Sequence, residues 1–174
     1  SQPTEVNARA GDAAKGSQSS QPSATVTPED TSRYFRRVLG NYPTGVAIIT
    51  AIVDGDPVGM VVGSFTSVSL DPPLVAFFPD NKSKTWAVLA QSTSFCVNVL
   101  SSSQEKLIRQ FVRGPEDRYA GVEWRTAPSG SPIIEGALAW IDCDRESVTQ
   151  YGDHQMVVGH LRDLAAEDPS PPLI

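Results

Sequence analysis

The sequence is poor in the residues that build metal centres and disulfide frameworks. It contains two cysteines, Cys96 and Cys143, and two histidines, His154 and His160. Nothing in their spacing indicates a zinc site, and both cysteines lie inside apolar, strand-like runs. We therefore expect no metal site, no disulfide framework, and two buried thiols as in a reducing compartment.

Two further shortages narrow the range of functions. No apolar run approaches the ~20 residues of a membrane-spanning helix, and the N-terminus lacks the charged, apolar and cleavage regions of a signal peptide. Positive charge is scarce too, since the formal net charge is −6 and the pI is about 4.8. These features argue against nucleic acid and anionic membranes as partners, because both require a basic face. They predict a cytoplasmic protein.

The chain is expected to contain one domain behind a flexible arm. Residues 1–26 carry almost no large apolar side chains, which predicts the arm, and residues 27–174 are long enough for one core. A helix should begin at Thr27-Pro28-Glu29-Asp30 and end at Gly40. Threonine is a favourable N-cap, proline is favoured in the first turn, and acidic residues stabilise the positive N-terminal end of the helix dipole. Shorter helices are predicted from Ser83-Lys84-Thr85 and, with capping-box spacing, from Ser102-Ser103-Gln104-Glu105.

Most remaining apolar residues fall into short runs at meander spacing, and Asp54-Gly55 is a hairpin signal between the first two. The predicted strands are Val46–Val53, Val58–Val62, Leu74–Phe78, Phe95–Leu100, Val122–Thr126, Ala137–Asp144 and Met156–Leu164. Six or seven strands with three short helices predict a mainly β fold, an antiparallel barrel with helical decorations. No Gly-x-Gly-x-x-Gly follows a strand, so no Rossmann fingerprint is present.

The stretch Val58–Phe78 carries the clearest binding signal. Its two apolar runs flank residues 63–69, Gly-Ser-Phe-Thr-Ser-Val-Ser, which we call the hydroxyl connector. Glycine lets a ligand approach the backbone, and hydroxyls and peptide N–H groups offer donors with little bulk. Such a lining suits a flat heteroaromatic ligand. An ordinary strand–loop–strand with serine and threonine facing solvent fits the connector about equally well.

Two other polar motifs also have both a functional and a structural interpretation. Ser83-Lys84-Thr85 combines a helix start with two hydroxyls and an ammonium, which can hold a phosphate, but simple N-capping explains it as well. Gly152-Asp153-His154 can present an imidazole at the mouth of a barrel, although a lone turn histidine is more often a surface residue. No Gly-x-Ser-x-Gly elbow occurs, so hydrolysis by a triad is poorly supported.

The large aromatic and acidic residues of the strands have simple structural interpretations. Trp86 and Trp140 are expected to pack in the core or at an interface. Asp142 and Asp144 alternate with apolar neighbours and are therefore expected to face solvent.

Several motifs follow one another along the chain: FRRVLG with YPTGV, SFTSVSLDPPLV, SKTW, FCVNVL, SPIIEGALAWIDCD and GDHQMVVG. Their order and spacing, over roughly residues 32–173, resemble the short-chain flavin reductase family. Members of that family are the reductase components of two-component flavin-dependent monooxygenases and have the FMN-binding split-barrel fold, an antiparallel barrel of Greek-key type. The resemblance therefore implies this fold and a flavin site.

By this resemblance the hydroxyl connector lies against the isoalloxazine ring. The residues implied to line the flavin are Gly59, Met60, Val61, Gly63, Ser64, Phe65, Thr66 and Ser67. Those implied to approach the ribityl phosphate are Pro79, Asp80, Ser83, Lys84 and Thr85, and Asn98 is a further cofactor-binding candidate. His154 is implied to act on the nicotinamide side.

The implied reaction is hydride transfer from NADH, or NADPH, to FAD or FMN. The reduced flavin would then diffuse to a partner monooxygenase, and a homodimer is expected because closed two-fold dimers are the commonest oligomers. A non-enzymatic FMN carrier on the same barrel is the alternative, although a carrier has no need for His154. The sequence does not distinguish FAD from FMN or NADH from NADPH, and it does not identify the partner oxygenase.

Overall fold

The structure, a computed structural model, describes residues 27–114, 117–167 and 169–174. The predicted N-terminal arm, residues 1–26, lies outside the described residues. The chain divides into two compact units, one ending at Asn41 and one spanning Tyr42–Ile174.

The first unit contains helix α1, Pro28–Leu39, and confirms both predicted helix ends. The Thr27 hydroxyl accepts a hydrogen bond from the Asp30 backbone N–H at 3.1 Å, and Gly40 is the C-terminal cap. None of the helix residues is buried. Its large apolar side chains are exposed: Tyr34, Phe35, Val38 and Leu39.

The second unit is an antiparallel β structure with two short helices. Its elements are β1 (Ala47–Val53), β2 (Asp56–Val62), β3 (Thr66–Leu70), β4 (Pro73–Phe77), α2 (Lys84–Leu89), β5 (Ser94–Val99), α3 (Glu105–Arg113), β6 (Trp124–Thr126), β7 (Pro132–Ile134), β8 (Ala139–Tyr151) and β9 (His154–Ala166). Seven strands form one sheet in the order β2-β1-β5-β8-β9-β4-β3, and β6 pairs with β7. The predicted mainly β, antiparallel class with few helices is confirmed.

The described residues contain two strands more than the sequence analysis predicted. Strand β3 covers most of the hydroxyl connector, where we expected only a loop. Thr66 and Ser67 pair with β4, and Val68 lies at a register shift in the ladder. Strand β7 begins at Pro132, a residue that argues against a strand unless it stands at the end of one. The capping box also lies one residue earlier than predicted, since the Gln104 side chain accepts from the Ser101 N–H at 3.1 Å.

Two hairpins have glycine-containing turns, and the one predicted at Asp54-Gly55 is confirmed. Asp54 and Gly55 have φ of 53° and 88° between the paired residues Val53 and Asp56, as a two-residue type I′ turn requires. Gly152, with φ of 60°, is the first residue of the two-residue turn between β8 and β9. These two strands run up to the turn, so His154 is the first residue of β9 and not part of a longer loop.

The main core lies between β1, β4, β5 and α2. Phe77 makes edge-to-face contacts with Trp86 and Phe95, at ring-centroid distances of 5.7 and 5.2 Å. Trp86 and Trp140 are both buried, as predicted. On the other side of β1, Phe111 of α3 packs in a second cluster with Ile48 and Leu100.

Strand β8 buries one of the two aspartates that we expected at the surface. Asp142 is fully buried, and its carboxylate accepts hydrogen bonds from the Ser129 N–H at 2.8 Å and hydroxyl at 2.5 Å. A register shift between Asp142 and Cys143 breaks the alternation of the strand, so both consecutive residues are buried. Asp144 is exposed as expected and pairs with Arg162. Cys96 and Cys143 are both free and buried, as predicted.

Among the described helices, none combines the length and apolarity that a bilayer crossing demands. The described residues also contain no group of three or more potential metal ligands among His, Cys, Asp and Glu.

Candidate functional site

The hydroxyl connector is anchored to the end of β4 by one serine. The Ser64 hydroxyl accepts a hydrogen bond from the Phe78 N–H at 3.0 Å. Phe65 packs against the main core, whereas Thr66 and Ser67 are exposed at the start of β3. Because β3 is an edge strand of the sheet, its second side is open to a ligand.

The segment after β4 folds into a tight loop that leads into α2. The Asp80 carboxylate accepts from the Lys82 N–H at 2.7 Å, and the Asp80 carbonyl accepts from the Ser83 N–H at 3.0 Å. The Ser83 hydroxyl in turn accepts from the Trp86 N–H at 3.1 Å, so the predicted N-cap is confirmed. The Lys84 side chain makes no ion pair with any described residue and is exposed.

This loop is joined to the β8–β9 hairpin through backbone groups. The Asn81 N–H donates to the Asp153 carbonyl, and the Gln155 N–H donates to the Pro79 carbonyl, both at 3.0 Å. Asp80 forms an isolated antiparallel bridge with His154. The structure therefore brings Pro79 and Asp80, two of the predicted phosphate-binding residues, next to the hairpin of the predicted nicotinamide residue, although about 70 residues separate these segments in the sequence.

The His154 ring is oriented by its neighbour in the chain. Its Nδ1 lies 2.7 Å from the Asp153 carboxylate, and the side chain is 43% exposed. This hydrogen bond, with the charge of a protonated ring, holds the pKa of Asp153 below its usual value. In the neutral ring with its proton on Nδ1, the hydrogen bond to the carboxylate leaves Nε2 as a hydrogen-bond acceptor.

Three predicted flavin-lining residues lie on β2, where packing explains much of their identity. A Cβ atom on Gly59 would lie 2.5 Å from Cε1 of Phe111 and 2.9 Å from the Tyr119 hydroxyl oxygen, so α3 requires glycine there. Met60 packs against the main core and Val61 against the cluster around Phe111. A Cβ on Gly63, just beyond β2, would lie 3.0 Å from the Thr44 hydroxyl.

Asn98 is part of a sealed network and is not brought to this site. It is completely buried, and its Oδ1 accepts from the Ile134 N–H at 2.7 Å. Its Nδ2 lies 3.1 Å from the Thr50 hydroxyl and 3.3 Å from the Pro132 carbonyl. Because protein groups already use both ends of the amide, we leave Asn98 out of the site proposed below.

Arg118 is a site residue that the sequence analysis missed. Its Nη1 donates to the Gly59 carbonyl at 3.0 Å and to the Thr85 hydroxyl at 2.7 Å, so it joins β2 to α2. Partial burial lowers the pKa of its guanidinium. In the sequence it lies in a charged loop with Arg113, and no local pattern separates the two.

Comparison with known proteins identifies the family. The chain matches the model of the flavin reductase like domain over residues 39–174. A flavin reductase from Pseudomonas putida is 52% identical over 136 residues, which are 78% of this chain and 80% of that protein. The reductase subunit HsaB of a flavin-dependent monooxygenase from Rhodococcus jostii (strain RHA1) is 46% identical over 142 residues, 82% of this chain and 73% of that one.

A solved structure has both the fold and ligands of the expected kinds. The NADH:FAD oxidoreductase SgcE6 of Streptomyces globisporus C-1027, in complex with NAD and FAD fragments, superposes with a TM-score of 0.76 at 34% identity. The match covers 86% of this chain and 90% of that one. All candidate site residues, from Gly59 to His154, fall inside the matched region. The chain belongs to the flavin reductase-like domain family.

Proposed function

We propose that the protein is an NAD(P)H-dependent flavin reductase that transfers a hydride to FAD or FMN and supplies the reduced flavin to a monooxygenase. One observation carries the proposal beyond family membership. The loop 79–83, α2 and the His154 hairpin are held together by backbone hydrogen bonds, and the Ser64 hydroxyl ties the connector to the same end of β4. Segments that the sequence separates thus converge on one edge of the sheet.

The chain connectivity supports a closed split barrel around this edge. Strands β2 and β3 are the two outer strands of the seven-stranded sheet, yet only residues 63–65 separate them in the sequence. A three-residue link spans at most about 15 Å, whereas the outer strands of a flat seven-stranded sheet would be ~29 Å apart. The sheet must therefore curve strongly, and we infer that its edges approach each other at the connector.

Within this barrel we assign the isoalloxazine to the connector. Its predicted contacts are Gly63, Ser64, Phe65, Thr66 and Ser67, with Gly59, Met60 and Val61 on the neighbouring strand. The open side of β3 offers peptide N–H groups that can stabilise negative charge on the reduced ring. Pro79, Asp80, Ser83, Lys84 and Thr85 then lie towards the ribityl phosphate.

Lys84 has the clearest role in holding the phosphate. It is exposed and makes no ion pair with the described residues, so its charge is available to a ligand. The Ser83 hydroxyl accepts from the Trp86 N–H and the Thr85 hydroxyl accepts from Arg118, so both can still donate to a phosphate. The Lys84 ammonium adds a full positive charge, which makes its hydrogen bond to the phosphate the strongest of the three.

His154 is assigned to the nicotinamide. The bound nucleotide and flavin supply the redox chemistry, and the protein must hold the two rings at transfer distance. The contact between Asp153 and Nδ1 fixes the imidazole, so that Nε2 can accept a hydrogen bond from the nicotinamide carboxamide. Positioning the donor is then the task of His154, since hydride transfer requires no proton from it.

A homodimer remains a prediction with some structural support. Leu70, at the end of edge strand β3, is 92% exposed, and Val68 on the same strand is 52% exposed. Apolar side chains on an open edge strand are usually covered. Sedimentation should show a dimer at micromolar concentration, and a stable monomer would contradict the prediction.

The decisive experiment is steady-state reduction of FAD, FMN and riboflavin by NADH and by NADPH in parallel. We expect loss of flavin absorbance under anaerobic conditions with at least one pair of substrates, and continuous turnover in air. If the protein binds flavin but neither nucleotide reduces it, the protein is a flavin carrier and the proposed function is wrong.

A further inference from the structure

The indole of Trp86 connects α2 to the strand that carries His154. Its Nε1–H donates a hydrogen bond to Oε1 of Gln155, the residue that follows His154 in β9, and the two atoms are 2.8 Å apart. Trp86 is only 4% exposed, and a buried indole N–H requires an acceptor inside the fold. We call this contact the indole link. It joins residues that are 69 positions apart in the chain.

On the α2 side, the indole link meets a residue that is itself fixed in place. The Trp86 N–H donates to the Ser83 hydroxyl at 3.1 Å, and its ring contacts Phe77 edge-to-face at a centroid distance of 5.7 Å. Trp86 is the third residue of α2, two positions after Lys84. The indole therefore has a defined place relative to the start of α2, which is proposed to approach the flavin phosphate.

On the β9 side, the indole link meets a hairpin with its own hydrogen bonds around His154. The Gln150 amide donates to the carbonyls of Gly152 and His154, at 2.7 and 3.1 Å. Adjacent side chains of a strand point to opposite faces, so Gln155 is directed towards Trp86 and the half-exposed ring of His154 lies on the other face. Because the two residues are neighbours in a paired strand, a displacement of Gln155 also displaces His154.

We propose that Gln155 is a positioning residue for hydride transfer. Through the indole link it sets the position of the His154 hairpin relative to α2, and thereby the position of the nicotinamide relative to the flavin. The inference rests on the proposed function, since it takes the flavin phosphate to lie at α2 and the nicotinamide at His154. Hydride transfer depends steeply on the approach of the two rings, and a displacement of about 1 Å can cost on the order of 10²-fold in rate. Gln155 itself needs no contact with either ligand.

The fold contains a second bond of the same kind, which serves as a matched control. Trp140 is also buried, and its Nε1–H donates to the Glu167 carboxylate at 2.7 Å. Glu167 lies just beyond the end of β9 that is opposite to His154, and it also pairs with Arg125. Loss of this carboxylate removes the acceptor of a buried indole and an ion pair, at the other end of the strand from the candidate site.

The test measures anaerobic single-turnover reduction of the flavin-saturated protein at saturating nucleotide. Gln155→Leu removes the acceptor and should lower the rate constant about five- to tenfold, while the flavin dissociation constant changes less than about twofold. Gln155→Glu restores an acceptor oxygen and should stay within about twofold of the wild type. Glu167→Leu should lower the melting temperature at least as much as Gln155→Leu and leave the rate constant unchanged. Gln155→Asn, which withdraws the acceptor by one methylene group, repeats the comparison with a polar side chain and should also slow reduction.

A double-mutant cycle identifies the residue through which Gln155 acts. If Gln155 acts by placing His154, Gln155→Leu should cause no further loss of rate in a His154→Ala background. Equal rate constants in the wild type and Gln155→Leu, additive losses in the cycle, or equal rate losses in Glu167→Leu and Gln155→Leu would overturn this proposal and leave the proposed function intact. A wild type that binds flavin but is not reduced would overturn both, so the two failures are distinguishable.

Discussion

Two polar regions of the second unit make opposite use of similar side chains. Around Asn98, the amide, the Thr50 hydroxyl and nearby backbone groups satisfy one another inside the fold. At the edge formed by the hydroxyl connector, loop 79–83 and His154, hydrogen bonds fix the backbone, but the Lys84 ammonium and one nitrogen of His154 keep free capacity. We call these regions the sealed network and the open edge.

The difference shows why residue type alone does not identify a site. Asparagine and threonine occur in both regions, and only the number of unused donors and acceptors separates the two regions. A buried polar network contributes stability because every member is paired. A ligand site instead requires groups that are held in place and still unpaired. The comparison can be tested with substitutions that should affect folding in one region and binding in the other.

The largest effect is expected from Asn98→Ala, in the sealed network. It leaves the Ile134 N–H and the Thr50 hydroxyl short of partners in a buried place, and should lower the free energy of unfolding by about 3 kcal/mol. Urea denaturation measures this. The matched control is Asn81→Ala at the open edge, where the side chain is exposed and the change should stay within about 0.5 kcal/mol. Equal losses at the two positions would remove the distinction between the regions.

His154→Ala should cause the next largest effect, on the reaction and not on folding. Loss of the positioned imidazole should slow flavin reduction or raise KM for NAD(P)H by about 10- to 100-fold. Flavin affinity should change less than about threefold, because the connector is assigned to the ring. Stopped-flow reduction and flavin titration give both values. His160→Ala, at the position of β9 that pairs with Leu74, serves as the control. Unchanged reduction kinetics in His154→Ala would make this histidine an ordinary surface residue.

Lys84→Ala should have a smaller effect that depends on the ligand. An exposed ammonium that contacts a phosphate contributes about 1 kcal/mol, so FMN binding should weaken roughly fivefold. Riboflavin, which has no phosphate, should bind as before. Fluorescence titration of both flavins measures the difference, and Lys106→Ala on α3 controls for net charge. A parallel loss for riboflavin would show that Lys84 acts on the ring or on folding.

The smallest effect concerns pH and the buried carboxyl of Asp142. Burial raises its pKa above the usual value, although the Ser129 hydrogen bonds oppose the shift. A raised native pKa means that the folded state holds the proton more tightly than the unfolded state. The resulting stabilisation is present below the ordinary pKa and is lost as pH rises through the native pKa.

Asp142→Asn should therefore remove this pH dependence. The amide can accept from the Ser129 N–H and donate to its hydroxyl, so we expect a change of less than about 1 kcal/mol at low pH and a flatter profile above it. Urea midpoints across that range measure the effect, and Asp144→Asn on the same strand is the exposed control. An unchanged slope would assign the pH dependence to other carboxyls.

Local chemistry allowed much of the fold to be predicted. The cap at Thr27, the Asp54-Gly55 turn and the start of α2 at Ser83 each depend on a few adjacent residues, and all three are present. The burial of Trp86 and Trp140 was predicted from the large apolar surface of tryptophan. The motif order also located the loop 79–85 and His154, whose spatial proximity needed the structure.

What was missed depends on contacts between different elements of the fold. In the sequence, Asp142 alternates with apolar residues, as a solvent-facing residue of a strand would. The register shift in β8 instead buries it beside Ser129. Strand β3 exists because β4 offers it a partner. Arg118 matters only because its loop meets β2 and α2.

The pairing of β4 with β9 also has a kinetic consequence. Leu74 pairs with His160 and Phe77 with Val157, across about 80 residues, and the bridge between Asp80 and His154 continues the same ladder. Such contacts close long loops and slow the folding of β proteins towards the millisecond-to-second range. The hairpins β1–β2 and β8–β9 can form locally, but the open edge cannot exist until β4 has reached β9. During synthesis β4 leaves the ribosome well before its partner strand β9. Until β9 is available, one edge of β4 is unpaired and can form non-native strand pairings.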